Sequence, residues 1–494
     1  MGIKAWIIGP VAKIRTAQVR RRAARALENQ QKIFRMLLRE GAGTEFGKAH
    51  GLASVNTYDD FRAQVPVRDY EALKPWFDRM VAGEENIFWP GKPVYLAKTS
   101  GTTSGVKYIP ITKASAPYHV DSARDAVFGY IARTGDASMM DGRMIFLSGS
   151  PELEEKNGML VGRLSGISNH MVPGWLKRNQ VPSRETNCIE DWETKVEAIV
   201  EETIRLDMRL ISGIPAWVQM YFEKLLEKSG KKTITELFPN FSVFVYGGVN
   251  YEPYRAKLES LMGRSVPSVE TYPASEGFFA YSDPDGADGM LLLTDNGIFY
   301  EFIPTDEYFN ENPTRIGLKD VEIGKNYALV LNTNAGLWGY SIGDTVKFVS
   351  KDPYRIVVSG RIKHYISAFG EHVIGEEVDF AVKEAGDRFG AEIVEFHVAP
   401  QVNPAEGELP YHEWFIEFAQ VPRHPEAFAL ALDDAMRKKN IYYDDLISGN
   451  ILQPAKIRIM PPGTFIRYMK SQGKLGGQNK LPRLSNDRKL ADRL

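Results

Sequence analysis

The chain has 494 residues, 43% hydrophobic and 11% aromatic, which is ample for a large buried core and too apolar for a disordered chain. Lys and Arg total 61 against 63 Asp and Glu, so the formal charge of −2 provides no whole-protein field for a polyanion, and no nucleic-acid partner is expected. Its one cysteine, Cys188, excludes an intramolecular disulfide and, among scattered histidines, offers no zinc cluster; a reducing, cytoplasmic setting fits this usage.

In chain order, residues 5–12 are too short and interrupted for a membrane span, and no small-residue cleavage site follows them. Trp6 stands where a myristoylation site needs Ser or Thr. The basic stretch Lys13, Arg15, Arg20, Arg21, Arg22 and Arg25 reads as a solvated helix face, and no stable membrane association is expected. Helical periodicity covers residues 23–38, and Asn56 to Asp60 lead into a short helix at Phe61. Residues 144–148 and 242–246 are predicted buried strands. Helices are predicted over 191–206 and 217–226, with a strand and turn at 210–213 between them. Such alternation predicts an α/β fold.

After Tyr281 the texture becomes β-rich, with strands at 289–293, at 297–303 across an Asp295-Asn296-Gly297 turn, at 327–332 and at 345–349. Beyond Gly360-Arg361 the order is helix, strand, strand, helix, strand, over 376–389, 393–399, 413–419, 425–438 and 456–460. Residues 471–480, rich in Gly, Gln and Lys, suit a mobile loop. The expectation is a large N-terminal α/β domain with a β-rich subdomain over 1–360, and a small mobile C-terminal α+β domain over 361–494.

The most informative stretch is Ala97-Lys98-Thr99-Ser100-Gly101-Thr102-Thr103-Ser104-Gly105-Val106-Lys107. Its hydroxyls, two glycines and Lys107 can present backbone N–H groups, side-chain donors and a positive charge to a polyphosphate; the competing reading is a flexible surface turn. Gly101 and Gly105 are one residue too close for a Walker-type loop, and Val106 precedes the lysine, so a P-loop ATPase is disfavoured. The pattern instead resembles the signature loop of the acyl-adenylate-forming superfamily, which includes luciferases, acyl-CoA synthetases and peptide-synthetase adenylation domains.

Four further motifs, with a glycine pair upstream of the first, follow in that superfamily's order. Tyr272-Pro273-Ala274-Ser275-Glu276 resembles its aromatic-x-x-[ST]-E motif, which implies Tyr272 beside adenine, Ser275 on phosphate and Glu276 on magnesium, a hard cation suited to carboxylate. Upstream, Gly247 and Gly248 stand where similar enzymes let the backbone approach the adenine edge. Tyr340-Ser341-Ile342-Gly343-Asp344 looks like the Tyr-x-x-Gly-Asp motif, with Asp344 accepting both ribose hydroxyls. Gly360-Arg361-Ile362-Lys363 matches the hinge of the small domain, with Arg361 in reach of the nucleotide. Near the C-terminus, Asn479-Lys480-Leu481-Pro482-Arg483 matches the segment that delivers a catalytic lysine, here Lys480. Each alone has an ordinary reading as a turn or a solvated side chain; their order is what argues against chance.

Within the superfamily the chain resembles the Gretchen Hagen auxin-responsive family of acyl acid-amido synthetases, on these motifs together with Phe46-Gly47-Lys48-Ala49-His50-Gly51. The resemblance implies ATP and Mg2+ as cofactors, a small-molecule carboxylic acid as substrate, and an amino acid or other amine as acceptor. An acyl-CoA ligase with a thiol acceptor and a non-catalytic nucleotide-binding scaffold are the alternatives. Trp175, Trp217, Met220 and Tyr221 are candidates for an acyl pocket, in competition with ordinary core packing.

Overall fold

A computed structural model gives the fold. It describes residues 3–100, 106–172, 174–189, 191–248, 251–283, 288–362, 365–366, 368–369, 371, 373–402, 404–405, 408–449, 451–475 and 481–494. Local chemistry sets many of the element boundaries. The helix Tyr58–Gln64 starts at a capping box in which Thr57 accepts from the Asp60 amide and the Asp60 carboxylate accepts from Thr57. Asp191 caps the helix Trp192–Thr203 by accepting from the Thr194 amide, and Gly230 ends the helix Pro215–Ser229 in the left-handed conformation.

Four helices matter below: α1 (Ile3–Ala23), α2 (Ala116–Thr134), α3 (Leu164–Met171) and α4 (Gly375–Phe389). A sheet of twelve strands forms the frame. In chain order they are β1 (Arg143–Phe146), β2 (Gln180–Val181), β3 (Met208–Ser212), β4 (Val243–Gly247), β5 (Ser268–Ala274) and β6 (Gly277–Ser282). The rest are β7 (Met290–Leu292), β8 (Ile298–Pro304), β9 (Ile316–Gly317), β10 (Asn326–Thr333), β11 (Tyr340–Lys351) and β12 (Tyr354–Arg361). Across the sheet the order is β9-β8-β10-β11-β12-β7-β6-β5-β4-β3-β1-β2. From β2 to β5 neighbours run parallel, and from β5 onward they run antiparallel. The parallel strands are apolar because helices cover both faces, with separate cores on the two sides, whereas the antiparallel strands form the β-rich region.

The chain bends at Asp295-Asn296-Gly297 as expected, but the strands on either side do not pair with each other: β7 pairs with β6 and β12 while β8 pairs with β9 and β10. Gly297 does take a positive φ of 80°, but the Asn296 amide is spent on the Phe278 carbonyl and the Asn334 amide donates to the Gly297 carbonyl. Those long-range bonds carry the strand to the far half of the sheet.

A second, four-stranded sheet contains the hairpin Tyr95–Ser100 and Val106–Ile111, with Ser100 opposite Val106. It packs with the N-terminal helices around Phe46, Phe61, Phe77 and Trp338, and the Trp338 indole N–H donates to the Phe88 carbonyl at 3.0 Å. In the C-terminal part, β13 (Glu392–Gln401), β14 (Tyr411–Gln420) and β15 (Lys456–Met460) form a three-stranded sheet. It shares a core with α4 and the helix Pro425–Lys439 around Val398, Trp414, Ile416 and Phe428. Full burial of each such side chain stabilises by about 1.5–3 kcal/mol. The helices Ile441–Ser448 and Thr464–Ser471 add to the predicted order, so residue 471 ends a helix instead of opening a loop. Among the described residues, no helix is long and apolar enough to cross a membrane.

Candidate active site

The parallel half of the sheet stops at β5, and the chain turns back there through Ser275 and Glu276 into β6. Ligand crevices of open α/β sheets form outside the carboxyl ends of such strands, where the strand direction changes. Gly247, at the end of β4, lies opposite Thr271 of β5, and a Cβ added to it would come within 2.4 Å of the Thr271 carbonyl oxygen. A side chain there would push the two strands apart. Gly248 follows with φ +83°, a left-handed conformation that favours glycine, and lines the same cavity as Tyr272.

Five motif side chains converge beyond this edge. The Tyr272 hydroxyl donates to one oxygen of Asp344 at 2.7 Å, and Arg361 Nε pairs with the other at 2.8 Å. Asp344 and Arg361 are register partners on β11 and β12, so pairing of those strands alone sets them side by side. Gly343, at φ +84°, turns β11 just before Asp344, and its carbonyl accepts from the Ile362 amide at 2.6 Å. The Tyr340 hydroxyl lies 3.5 Å from Glu276 Oε1.

The electrostatics distinguish these groups. Glu276 is partly buried, with its carboxylate facing the cavity. Burial chiefly, with the nearby Asp344 charge, raises its pKa to about 7 against the pull of Arg361 and Lys107. The Asp344 charge holds the Arg361 guanidinium firmly protonated. Burial and Asp344 together push the Tyr272 phenol well above its usual range. A carboxylate placed where ionisation is costly, inside a cleft, is a recurrent mark of a working site.

The cavity has a volume of about 2140 Å3 and is lined by Thr99, Gly247, Gly248, Tyr272, Ser275, Glu276, Asp344 and Arg361. Thr99 and Lys107 are cross-strand partners near the loop end of the hairpin, with the Lys107 ammonium 5.5 Å from the Tyr70 ring centroid. Gly101, Thr102, Thr103, Ser104, Gly105, Lys363 and Lys480 lie outside the described residues, as does the side chain of Ser100. Leu481, Pro482 and Arg483, which follow Lys480 in the chain, line the same cavity.

Sequence reasoning missed what holds that segment. The Val398 amide donates to the Arg483 carbonyl at 2.8 Å and the Ser485 amide to the Val398 carbonyl at 3.0 Å, which adds the segment to the edge of β13. Arg483 pairs with Asp379 of α4 at 2.7 Å and with Glu395 at 3.5 Å. The Tyr254 hydroxyl, from the large sheet's helices, reaches Glu395 at 3.2 Å. Lys347 of β11 pairs with Glu376 in the first turn of α4. Glu376 and Asp379, three apart, share a helix face that was legible, but their partners are 29 and 104 residues away.

Of the acyl-pocket candidates, Trp217 lines the cavity, while Tyr221 is fully buried with its hydroxyl 2.7 Å from the Thr203 hydroxyl and Met220 packs in the same core. The side chain of Trp175 is outside the description. Phe146, Leu164 and His170, absent from the sequence candidates, line the cavity too, and the Tyr95 hydroxyl bonds His170 Nδ1 at 2.9 Å.

Residues 15–173 and 150–267 match the GH3 family N-terminal domain, 291–361 its central domain, and 376–489 its C-terminal domain. Indole-3-acetic acid-amido synthetase GH3.3 of Arabidopsis thaliana is 22% identical over 536 residues, covering 92% of this chain and 88% of that protein. Jasmonoyl--L-amino acid synthetase JAR4 of Nicotiana attenuata is 23% identical over 383 residues, covering 64% of this chain and 66% of that protein. Among solved structures, GH3.15 acyl acid amido synthetase superposes with a TM-score of 0.79 at 16% identity, over 97% of this chain and 95% of that one. A 2-hydroxyisobutyryl-CoA ligase in complex with its acyl-AMP gives 0.63 at 12% identity, over 95% and 91%. The fold is therefore that of the acyl-adenylate-forming enzymes. With all three of the family's domains matched in order along most of its length, the chain belongs to the GH3 family.

Proposed function

We propose that this protein is an ATP-dependent acyl acid-amido synthetase, which activates a carboxylic acid as its acyl-AMP and transfers the acyl group to an amine, an amino acid by preference. The observation that carries this reading is the convergence of Tyr272, Glu276, Asp344 and Arg361 on one cavity edge in a member of this family. Asp344 keeps lone pairs beyond those used by Tyr272 and Arg361, and an ionised acceptor is what a ribose diol requires. Gly247 and Gly248 leave room for the adenine edge, with the Tyr272 ring beside it. Thr99 to Gly105, Lys107 and Ser275 hold the phosphates.

Glu276 fits magnesium. Its carboxylate is a hard oxygen donor in the cavity, and no group of three or more acidic, His or Cys side chains gathers among the described residues. A single carboxylate with phosphate oxygens and water is the usual environment of this ion, and when bound it neutralises charge on the departing pyrophosphate. The substrate carboxylate attacks the α-phosphorus, the bond to pyrophosphate breaks, and acyl-AMP forms. A neutral amine then attacks the acyl carbon, AMP leaves with the bonding electron pair, and the amine proton passes to solvent or base. Lys480 stabilises charge around the α-phosphate in the first step. Residues 361–494 act as the small domain that carries Lys480 in, with Arg361 at the hinge.

The test is incubation with ATP, magnesium, a library of carboxylic acids and pooled amino acids, following pyrophosphate and identifying products by mass. Amides that vanish with Lys480→Ala, at an adenylation rate lowered about a hundredfold or more, support the proposal. Pyrophosphate with a thioester but no amide would replace the amine by coenzyme A. Silence toward every acid despite ATP binding would overturn it.

A further inference from the structure

α1 is apolar on two opposite faces. Its inner face buries Ala12 and Val19 against α2, and Arg15 locks it there through paired bonds to Asp125 at 2.9 and 3.0 Å. Arg22 adds contacts to Asp295 at 2.9 Å and to Asp125 at 3.8 Å. The helix is thus fastened to the body. Its outer face nonetheless leaves Trp6 75%, Ile7 54%, Val11 48% and Ile14 62% exposed. At 3.6 residues per turn these four fall within an arc of about 140°, a continuous apolar stripe.

The exposed charge carried by the helix itself is of one sign. Lys13, Arg20 and Arg21 are exposed on the same helix. Residues 1–27 hold seven Lys and Arg and no Asp or Glu, whereas the rest of the chain has 54 against 63. We infer that the outer face of α1 docks on an anionic lipid bilayer, lying in the interface with Trp6, Ile7 and Ile14 among the acyl chains and the basic residues on the lipid phosphates. This combination of apolar stripe and basic border is what an interfacial helix presents. A second copy of the chain fits less well, since an isologous contact would bring each basic border against its own like. A nucleic acid would account for the charge and not for the exposed Trp and Ile.

The position is purposeful. The cavity that holds Glu276 and Asp344 is also lined by Ile8 and Val11 of α1 and by Val120, Ala123 and Val127 of α2. A docked bilayer therefore lies against a wall of the same cavity. This docking does not depend on which acid or acceptor the enzyme uses.

Flotation of the full chain with vesicles of phosphatidylcholine, with and without phosphatidylglycerol, tests it. Binding is expected to the anionic vesicles at low salt and to fall as salt rises. The triple substitution Trp6→Ser, Ile7→Ser, Ile14→Ser should lower partitioning at least about tenfold. Thermal unfolding and pyrophosphate release with a soluble acid should not change, because none of the three lines the cavity. Arg20→Glu with Arg21→Glu, which leaves the apolar stripe intact, should remove the preference for anionic lipid. Tryptophan emission should shift to the blue on vesicle addition in the native chain and not in Trp6→Phe. No flotation with anionic vesicles, or equal flotation of the triple variant, would overturn the inference. So would concentration-dependent self-association abolished by the same substitutions, which would assign the face to a second copy.

Discussion

Two glutamates of the same sheet region are instructive side by side. Glu301 on β8 is fully buried and fully occupied: Arg315 pairs with it at 2.6 Å, the Asn332 amide donates at 2.7 Å and the Tyr58 hydroxyl at 2.8 Å. Glu276, in the turn from β5 to β6, has a tyrosine hydroxyl at 3.5 Å and an open cavity in front of it. The first carboxylate is closed into a structural network that fastens the helix Tyr58–Gln64 to the sheet. The second bears an electrostatic cost that burial imposes and its neighbours leave largely uncompensated. Saturated buried charge holds a fold together, whereas undersaturated buried charge waits for a ligand.

Substitution separates the two roles, beginning with the largest effect. Glu301→Ala leaves Arg315 as an uncompensated buried charge and should cost about 3–5 kcal/mol of stability by denaturant unfolding. If the variant is as stable as the native chain, the structural half of the comparison fails. A second measurement uses pH. Because the folded-state pKa of Glu276 is about 7 against an ordinary 4.5, the unfolded chain gives up this proton first. Between those values the folded state binds more protons, so rising pH favours unfolding, and the loss is complete above about pH 7. It should reach about 2 kcal/mol after allowing for contact with cavity water, and Glu276→Gln should remove that part of the slope. Glu377, also raised to about 7 chiefly by burial, leaves a residual slope in both proteins, so the difference curve is the quantity to read.

Glu276→Gln should also lower adenylation about a hundredfold without loss of stability, measured as ATP–pyrophosphate exchange alongside unfolding. A variant that unfolds as Glu301→Ala does would erase the distinction. The smallest effect is expected for Gly247→Ala, whose Cβ would meet the Thr271 carbonyl oxygen at 2.4 Å. Strand separation there should cost about 1–2 kcal/mol and weaken nucleotide binding, read by titration of a fluorescent ATP analogue.

Much of this was legible beforehand. The C-terminal order of helix, strand, strand, helix and strand is observed, with the last strand at Lys456–Met460. Those elements are long, strongly periodic and bounded by turn residues, so local pattern suffices. The bend at Asp295-Asn296-Gly297 was readable, but turn chemistry says where a chain bends and not which strand it joins afterwards. For the site, Tyr272, Ser275, Glu276, Asp344 and Arg361 were readable as motifs, and the structure brings all five to one cavity. Lys347 with Glu376, and Arg483 with Asp379 and Glu395, were not, since each is an ordinary charged residue until a distant partner faces it.

The sequence by itself determined the alternation of strands and helices, the short motifs and their order, because each depends on residues a few positions apart. Tertiary structure decided the rest. It turned β5 against β6 so that Glu276 faces a cavity, paired β11 with β12 so that Arg361 meets Asp344, and placed α1 with one apolar face buried and the other outward. Burial and partner choice belong to the packed whole: whether a carboxylate is satisfied, or an apolar stripe covered, depends on atoms that no local window contains.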